Sequence, residues 1–170
     1  MKKRGQVWVE TVIYTLIALV LIGLILTFVR PKIAELQDKV IIQQSISMLN
    51  DINNVVLSLA ESGPGNKRKV DLNLRAGSLT IDGAKDIIRF SIDSNYQFSE
   101  PGKDVDYGDF VVHTETLNDL NLVNITLNYS AYNITYKGSK ISKTITKSST
   151  PYSLFITNNG GSNPNMDFSV

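Results

Sequence analysis

The chain has 170 residues, 42% of them hydrophobic and 19% charged, with a formal net charge of +1. That length admits one domain plus an extended element, and the balanced charge gives no reason to expect nucleic acid or an acidic polymer as the partner. There is no cysteine, which excludes disulfides, thiolate metal sites and a cysteine nucleophile. The single histidine, His113, rules out a multi-histidine metal site within one chain.

The opening residues are Met1-Lys2-Lys3-Arg4-Gly5-Gln6-Val7-Trp8-Val9-Glu10, and Thr11 to Val29 carries no charge. A helix of about 20 such residues spans roughly 30 Å of hydrocarbon. Lys2, Lys3 and Arg4 set its orientation: they stay cytoplasmic, and everything after Arg30 lies outside. A secretory signal peptide has a shorter apolar core and a small-residue exit, whereas this run ends in Phe28-Val29-Arg30-Pro31. A plain signal anchor fits the length but leaves Glu10 unexplained. A carboxylate one turn into a membrane helix is costly and demands a partner.

Basic residues, then Gly5, then Gln6, with Glu10 at the fifth position after the glycine, resemble the class III signal peptide of archaeal type IV pilins. In that family a membrane aspartyl prepilin peptidase cuts after the glycine, on the cytoplasmic side of the helix. The resemblance places the cut between Gly5 and Gln6. Archaellins, the related motility subunits, usually place small residues around the cut and lack the Gln-plus-Glu arrangement, so the pattern here resembles a pilin more closely. Cleavage removes the charges that pin the helix and creates a new α-amino group. In a staggered filament, Glu10 of one subunit meets the amino terminus of a neighbour, and opposite charges in low dielectric favour both ionised forms. The expected role of Glu10 is therefore subunit registration.

Pro31 either kinks the helix or opens a second one. Beyond it Ile33, Leu36, Val40, Ile42, Ile46, Leu49, Ile52, Val56 and Leu59 recur at three- and four-residue spacing, uninterrupted by Gly or Pro until Gly63. This predicts a helix to about Glu61 whose apolar stripe packs against a head domain.

Ser62-Gly63-Pro64-Gly65-Asn66 is a helix stop, after which the period falls to two. Val70, Leu72 and Leu74, then Leu79 and Ile81 before a turn at Asp82-Gly83, predict strands, as do Ile87 to Ile92 and Phe110 to Thr114. Val123, Ile125, Leu127 and Tyr129 are followed by Tyr132, Ile134 and Tyr136 in the opposite phase. A bulge near Ser130-Ala131 restores them to one face, and Gly138-Ser139 turns the chain into Ile141 to Ile145. The stretch from Asn158 to Asn165 reads as a surface loop before a short last strand or a frayed end.

Three glycosylation sequons fall on the same predicted hairpin: Asn124-Ile125-Thr126, Asn128-Tyr129-Ser130 and Asn133-Ile134-Thr135. With the bulge, all three asparagines share its polar face.

No catalytic constellation emerges. His113 alternates with Val112 in a strand and has no partner in the pattern. Asp104, Asp106 and Asp109, with Gly102 and Gly108, lack the spacing of an EF-hand and read as a solvated polar loop. Gly63, Gly65 and Lys67 lack the spacing of a phosphate loop. Lys137, Lys140, Lys143 and Lys147 read as a protected sheet edge.

The expected architecture is α+β, with a long N-terminal transmembrane and amphipathic helix followed by a mostly antiparallel β head of the kind found in type IV pilins. Its divisions are a leader (1–5), a filament-core helix (6–30), an amphipathic extension (31–61) and the head (62–170). The resemblance implies a structural filament subunit, no enzyme and no cofactor, first in the cell membrane and then in an extracellular surface filament. Its partners are copies of itself and sister pilins, the prepilin peptidase, an assembly ATPase and a membrane platform protein. Two alternatives stay open: an unprocessed single-pass surface protein with a ligand-binding β head, and a membrane-tethered enzyme. The first predicts a monomer that retains its N-terminus.

Overall fold

A computed structural model describes residues 3–170, with side chains from residue 7 onward. The chain forms one long apolar N-terminal helix followed by a region rich in antiparallel β-sheet, an α+β layout. It divides into two compact units, Met1–Gln37 and Asp38–Val170.

Helix α1 spans Lys3–Glu61 and contains Pro31 in its interior. Proline has no amide proton, so the bond that would reach the carbonyl four residues earlier is lost there, yet the helical assignment is unbroken. In the first unit the residues from Val7 to Val29 present their apolar side chains at the surface, with Trp8 71% and Phe28 74% exposed.

The second unit begins with the last part of α1. Here the stripe differs from expectation at its start. Ile33 and Leu36 of the first unit and Val40 of the second are exposed, and full burial begins at Ile42 and continues through Ile46, Leu49, Ile52, Val56 and Leu59. The helix ends where the sequence stops it. Ser62 donates to the Ser58 carbonyl through both its amide (3.1 Å) and its hydroxyl (2.6 Å), and Gly63 takes a positive φ of 78°. The Asn66 amide then closes the turn on the Ser62 carbonyl at 2.7 Å.

Ten strands follow: β1 (Lys67–Leu72), β2 (Ser78–Asp82), β3 (Ile87–Ser94), β4 (Asp104–Tyr107), β5 (Phe110–Leu117), β6 (Leu120–Asn128), β7 (Asn133–Tyr136), β8 (Ser142–Thr146), β9 (Tyr152–Asn158) and β10 (Asn165–Ser169). They form a six-stranded sheet, β4-β5-β6-β3-β2-β8, and a four-stranded sheet, β1-β9-β10-β7. All pairings between strands are antiparallel except β10 with β7. Leu79, Ile81, Ile88, Phe90, Ile92, Val112, Val123 and Ile125 of the larger sheet share one core with Leu154, Ile156, Ile134, Met166 and Phe168 of the smaller and with the helix stripe.

Three expectations for the C-terminal half are corrected. The segment around Ser130-Ala131 is a turn at which the chain leaves one sheet for the other, so β6 and β7 are not a bulged hairpin. The phase flip at Tyr132 marks that change of sheet. The tight turn is centred on Lys137 and Gly138, with mutual backbone bonds between Tyr136 and Ser139, and the following strand pairs with β2. Asp104 and Asp106, read as loop, lie in β4, which pairs with β5. Strand β9, unforeseen, joins β1 to β10. Of the four lysines expected along a sheet edge, only Lys143 lies in β8, the last strand of its sheet; Lys137, Lys140 and Lys147 lie outside it.

Polar groups tie the core layers together within the second unit. Asn53, buried on the helix, donates from Nδ2 to Asp109 Oδ2 at 3.0 Å. Asn158 donates from Nδ2 to the Leu59 carbonyl at 2.8 Å. Asp38 accepts from both the backbone and the side-chain amide of Asn95, at 2.7 and 2.8 Å.

Candidate functional site

The first candidate is the apolar helical surface of the N-terminal unit. It is long and apolar enough to cross a membrane. Its threonine hydroxyls are satisfied within the helix. Thr11 bonds back to the Val7 carbonyl at 2.9 Å, Thr15 to Thr11 at 2.8 Å and Thr27 to Gly23 at 2.9 Å. Such back-bonding is how hydroxyls are accommodated where water is scarce.

Glu10 lies one turn before Tyr14, whose hydroxyl donates to Glu10 Oε1 at 3.2 Å. The chain thus supplies the carboxylate with a local partner that the sequence reading did not provide. One neutral donor leaves most of the acceptor capacity of a carboxylate unmet. Of the leader residues, Lys2 lies outside the described residues; Lys3, Arg4, Gly5 and Gln6 belong to the helix, and their side chains lie outside what is described.

The second candidate is the outer face of the six-stranded sheet. The period-two alternation that buries Phe90, Val112 and Ile125 sends their neighbours outward, and the strand register arranges those neighbours in rows. One row runs Asp104–His113–Asn124–Ser91 across β4, β5, β6 and β3. His113 Nδ1 stands 2.7 Å from Asp104 Oδ1, and the Ser91 hydroxyl donates to Asn124 Oδ1 at 2.6 Å. The next row runs Val111–Thr126–Arg89, with Arg89 Nε donating to the Thr126 hydroxyl at 3.3 Å. Beyond it Asn128 faces Ile87. All of these except Ser91 line a concavity of about 410 Å³. His113 therefore has a partner after all, delivered by the strand that had been read as a loop.

The sequons separate. Asn124 and Asn128 belong to the outer face of β6, whereas Asn133 sits on β7 in the other sheet, so the expected single polar face does not exist. In the third sequon the Thr135 hydroxyl is buried, with Asn165 Oδ1 and Asp167 Oδ1 at 2.9 and 2.8 Å sharing its one proton. Asn128 is exposed at a strand end, its Oδ1 accepting the Ser130 amide at 3.0 Å.

A buried polar cluster lies behind the sheet. Tyr129 donates to Asn53 Oδ1 at 3.2 Å. Burial, followed by the nearby Tyr132 and Asp109, pushes the Tyr129 phenol above its ordinary range. Among the described residues no group of three His, Cys, Asp or Glu side chains is placed to hold a metal ion.

No family model, curated protein or solved structure matches this chain. Function therefore has to be argued from the two surfaces themselves. Sequence reasoning located the apolar helix and Glu10 directly. It missed Arg89 and took Asp104 for a loop residue, because a concavity on a sheet face depends on register between strands far apart in the chain.

Proposed function

We propose that the chain is the precursor of a structural filament subunit of the archaeal type IV pilus kind. The prepilin peptidase cuts it between Gly5 and Gln6, and its apolar helix then packs against those of other subunits. The observation that carries the reading is the exposed apolar helical surface from Val7 to Val29 interrupted by one carboxylate, Glu10. Before assembly, lipid covers that surface and Tyr14 gives Glu10 a single hydrogen bond. After cleavage the Gln6 amino group of a neighbour supplies the charge that completes it and fixes the axial register. Burying on the order of 1,000 Å² of apolar surface per subunit contributes roughly 25 kcal/mol before association entropy is deducted. On this reading the protein passes from the cell membrane to a surface filament. Its partners are its own copies and sister pilins, with an assembly ATPase and a membrane platform protein as machinery.

One observation favours a second reading, an unprocessed single-pass surface protein with a ligand-binding head. The Tyr14 hydroxyl lowers the cost of Glu10 in a lone anchor, and the head carries a concave polar face. N-terminal sequencing of the surface-sheared fraction separates the two. The filament reading expects a chain starting at Gln6, with Gly5→Leu blocking the cut. A chain that keeps its N-terminus in cells making the peptidase overturns it.

A further inference from the structure

We propose that the concavity on the outer face of the six-stranded sheet is an oxyanion-binding site centred on Arg89, fit for the carboxylate of an acidic sugar or for a phosphate. The inference is independent of filament assembly, since it rests on the second unit alone.

Arg89 is half-buried, and among the described residues it has no carboxylate partner; its one side-chain bond is from Nε to Thr126. The carboxylate that lines the same concavity, Asp104, is held by His113 at 2.7 Å. The terminal nitrogens of the guanidinium are therefore free to form the two parallel bonds that a planar carboxylate or a phosphate accepts.

Two amides, Asn124 and Asn128, line the same concavity. Asn124 Oδ1 accepts from Ser91, and Asn128 Oδ1 accepts from the Ser130 backbone amide. A backbone N–H only donates, which settles which end of Asn128 is the oxygen. Each Oδ1 thus accepts one bond, and both Nδ2 groups are without partners among the described residues. An unpaired guanidinium flanked by free amide donors, with the one carboxylate of the concavity paired to His113, suits a ligand rich in acceptors. Ile87 and Val111 supply the apolar wall on which a sugar ring can rest. The near-neutral net charge of the chain does not oppose this, because the site is local.

The test is an NMR titration of the full chain in a neutral polyoxyethylene detergent, made in a host without N-glycosylation. The probes are galacturonate, inorganic phosphate and, as the uncharged control, galactose. Saturable shifts at Arg89, His113, Asn124, Thr126 and Asn128 with galacturonate or phosphate, and none with galactose, are the expected result. Galacturonate alone identifies a sugar acid as the source, and phosphate alone a free phosphate. Arg89→Gln is expected to weaken binding at least tenfold and Arg89→Lys less, with the rest of the spectrum unmoved. Should Arg89→Gln fail to fold, Asn128→Ala at the exposed rim serves, with a several-fold loss expected. No saturable shift with either anion, equal binding of galactose, or unchanged affinity in the folded variants overturns the proposal.

Discussion

The Tyr129 hydroxyl donates to Asn53 Oδ1 at 3.2 Å, joining the chain just after β6 to the middle of the helix's buried face. Asn53 passes the connection on to Asp109 at the β4–β5 turn. One helix residue thus holds two separate parts of the head in place.

Removing that residue leaves a buried hydroxyl without an acceptor. Asn53→Ala is expected to destabilise the head by about 2 kcal/mol, because an orphaned buried polar group costs its desolvation as well as the lost bond. Urea unfolding of the full chain in detergent measures it, and Asn53→Asp, which keeps an oxygen for Tyr129, should cost the core differently by setting a second carboxylate beside Asp109.

The same tyrosine gives the head an alkaline limit. Its phenol is raised above the ordinary value near 10 chiefly by burial. In the folded state it holds its proton at pH values where the unfolded chain has lost it. Its contribution to stability is complete below about pH 10 and falls as pH rises through the folded value. Phenolate absorbance is expected to show Tyr129 ionising above the ordinary range of a phenol, with unfolding accompanying it. Tyr129→Phe should remove this component of the alkaline transition.

Gly77 sits where no side chain fits. A Cβ there would stand 2.5 Å from the Ser91 carbonyl oxygen and 2.8 Å from the Phe90 ring, at a φ of +73°. Gly77→Ala combines a left-handed backbone with overpacking against the central strand β3, an expected loss of about 3 kcal/mol. Thermal unfolding compared with Gly102→Ala, which has open space around it but a φ of +73°, separates the steric part from the backbone part.

On the proposed surface location, glycosylation is expected to spare Asn133. Its sequon partner Thr135 has its hydroxyl buried and committed to Asn165 and Asp167. Asn128, at an exposed strand end with Ser130 beside it, is the open sequon. Peptide mapping of the native protein should find glycan mass on the Asn128 peptide, with Asn133 unmodified.

The elements most legible in the sequence were those specified locally. The helix announces itself by spacing from Ile42 to Leu59 and its end by Ser62 and Gly63, and β2 and β3 by strict alternation around Asp82-Gly83. What escaped depends on long-range pairing. Tyr129 and Tyr132 differ in phase because the chain changes sheets between them, and a bulge produces the same pattern along the sequence. Strand β4 is short and acidic, and only its partner β5 makes it a strand. The exposure of Ile33, Leu36 and Val40 was hidden for the opposite reason. A stripe with helical period looks the same whether or not a second layer covers it. Likewise Glu10 was found by its position, whereas Tyr14 as its companion requires a helix that puts residues four apart on one face.

The order of the smaller sheet bears on how the head is made. Strand β10 lies between β9 and β7 and is the sole lateral neighbour of β7. A polypeptide delivered N-terminus first must therefore hold β7 unclaimed while some thirty further residues arrive (from Tyr136 to Asn165). Until then its ladder groups stand open to stray pairing, and a premature stop between β9 and β10 leaves β7 cut off from β9, not a frayed edge. Synthesis has to finish before this domain can close.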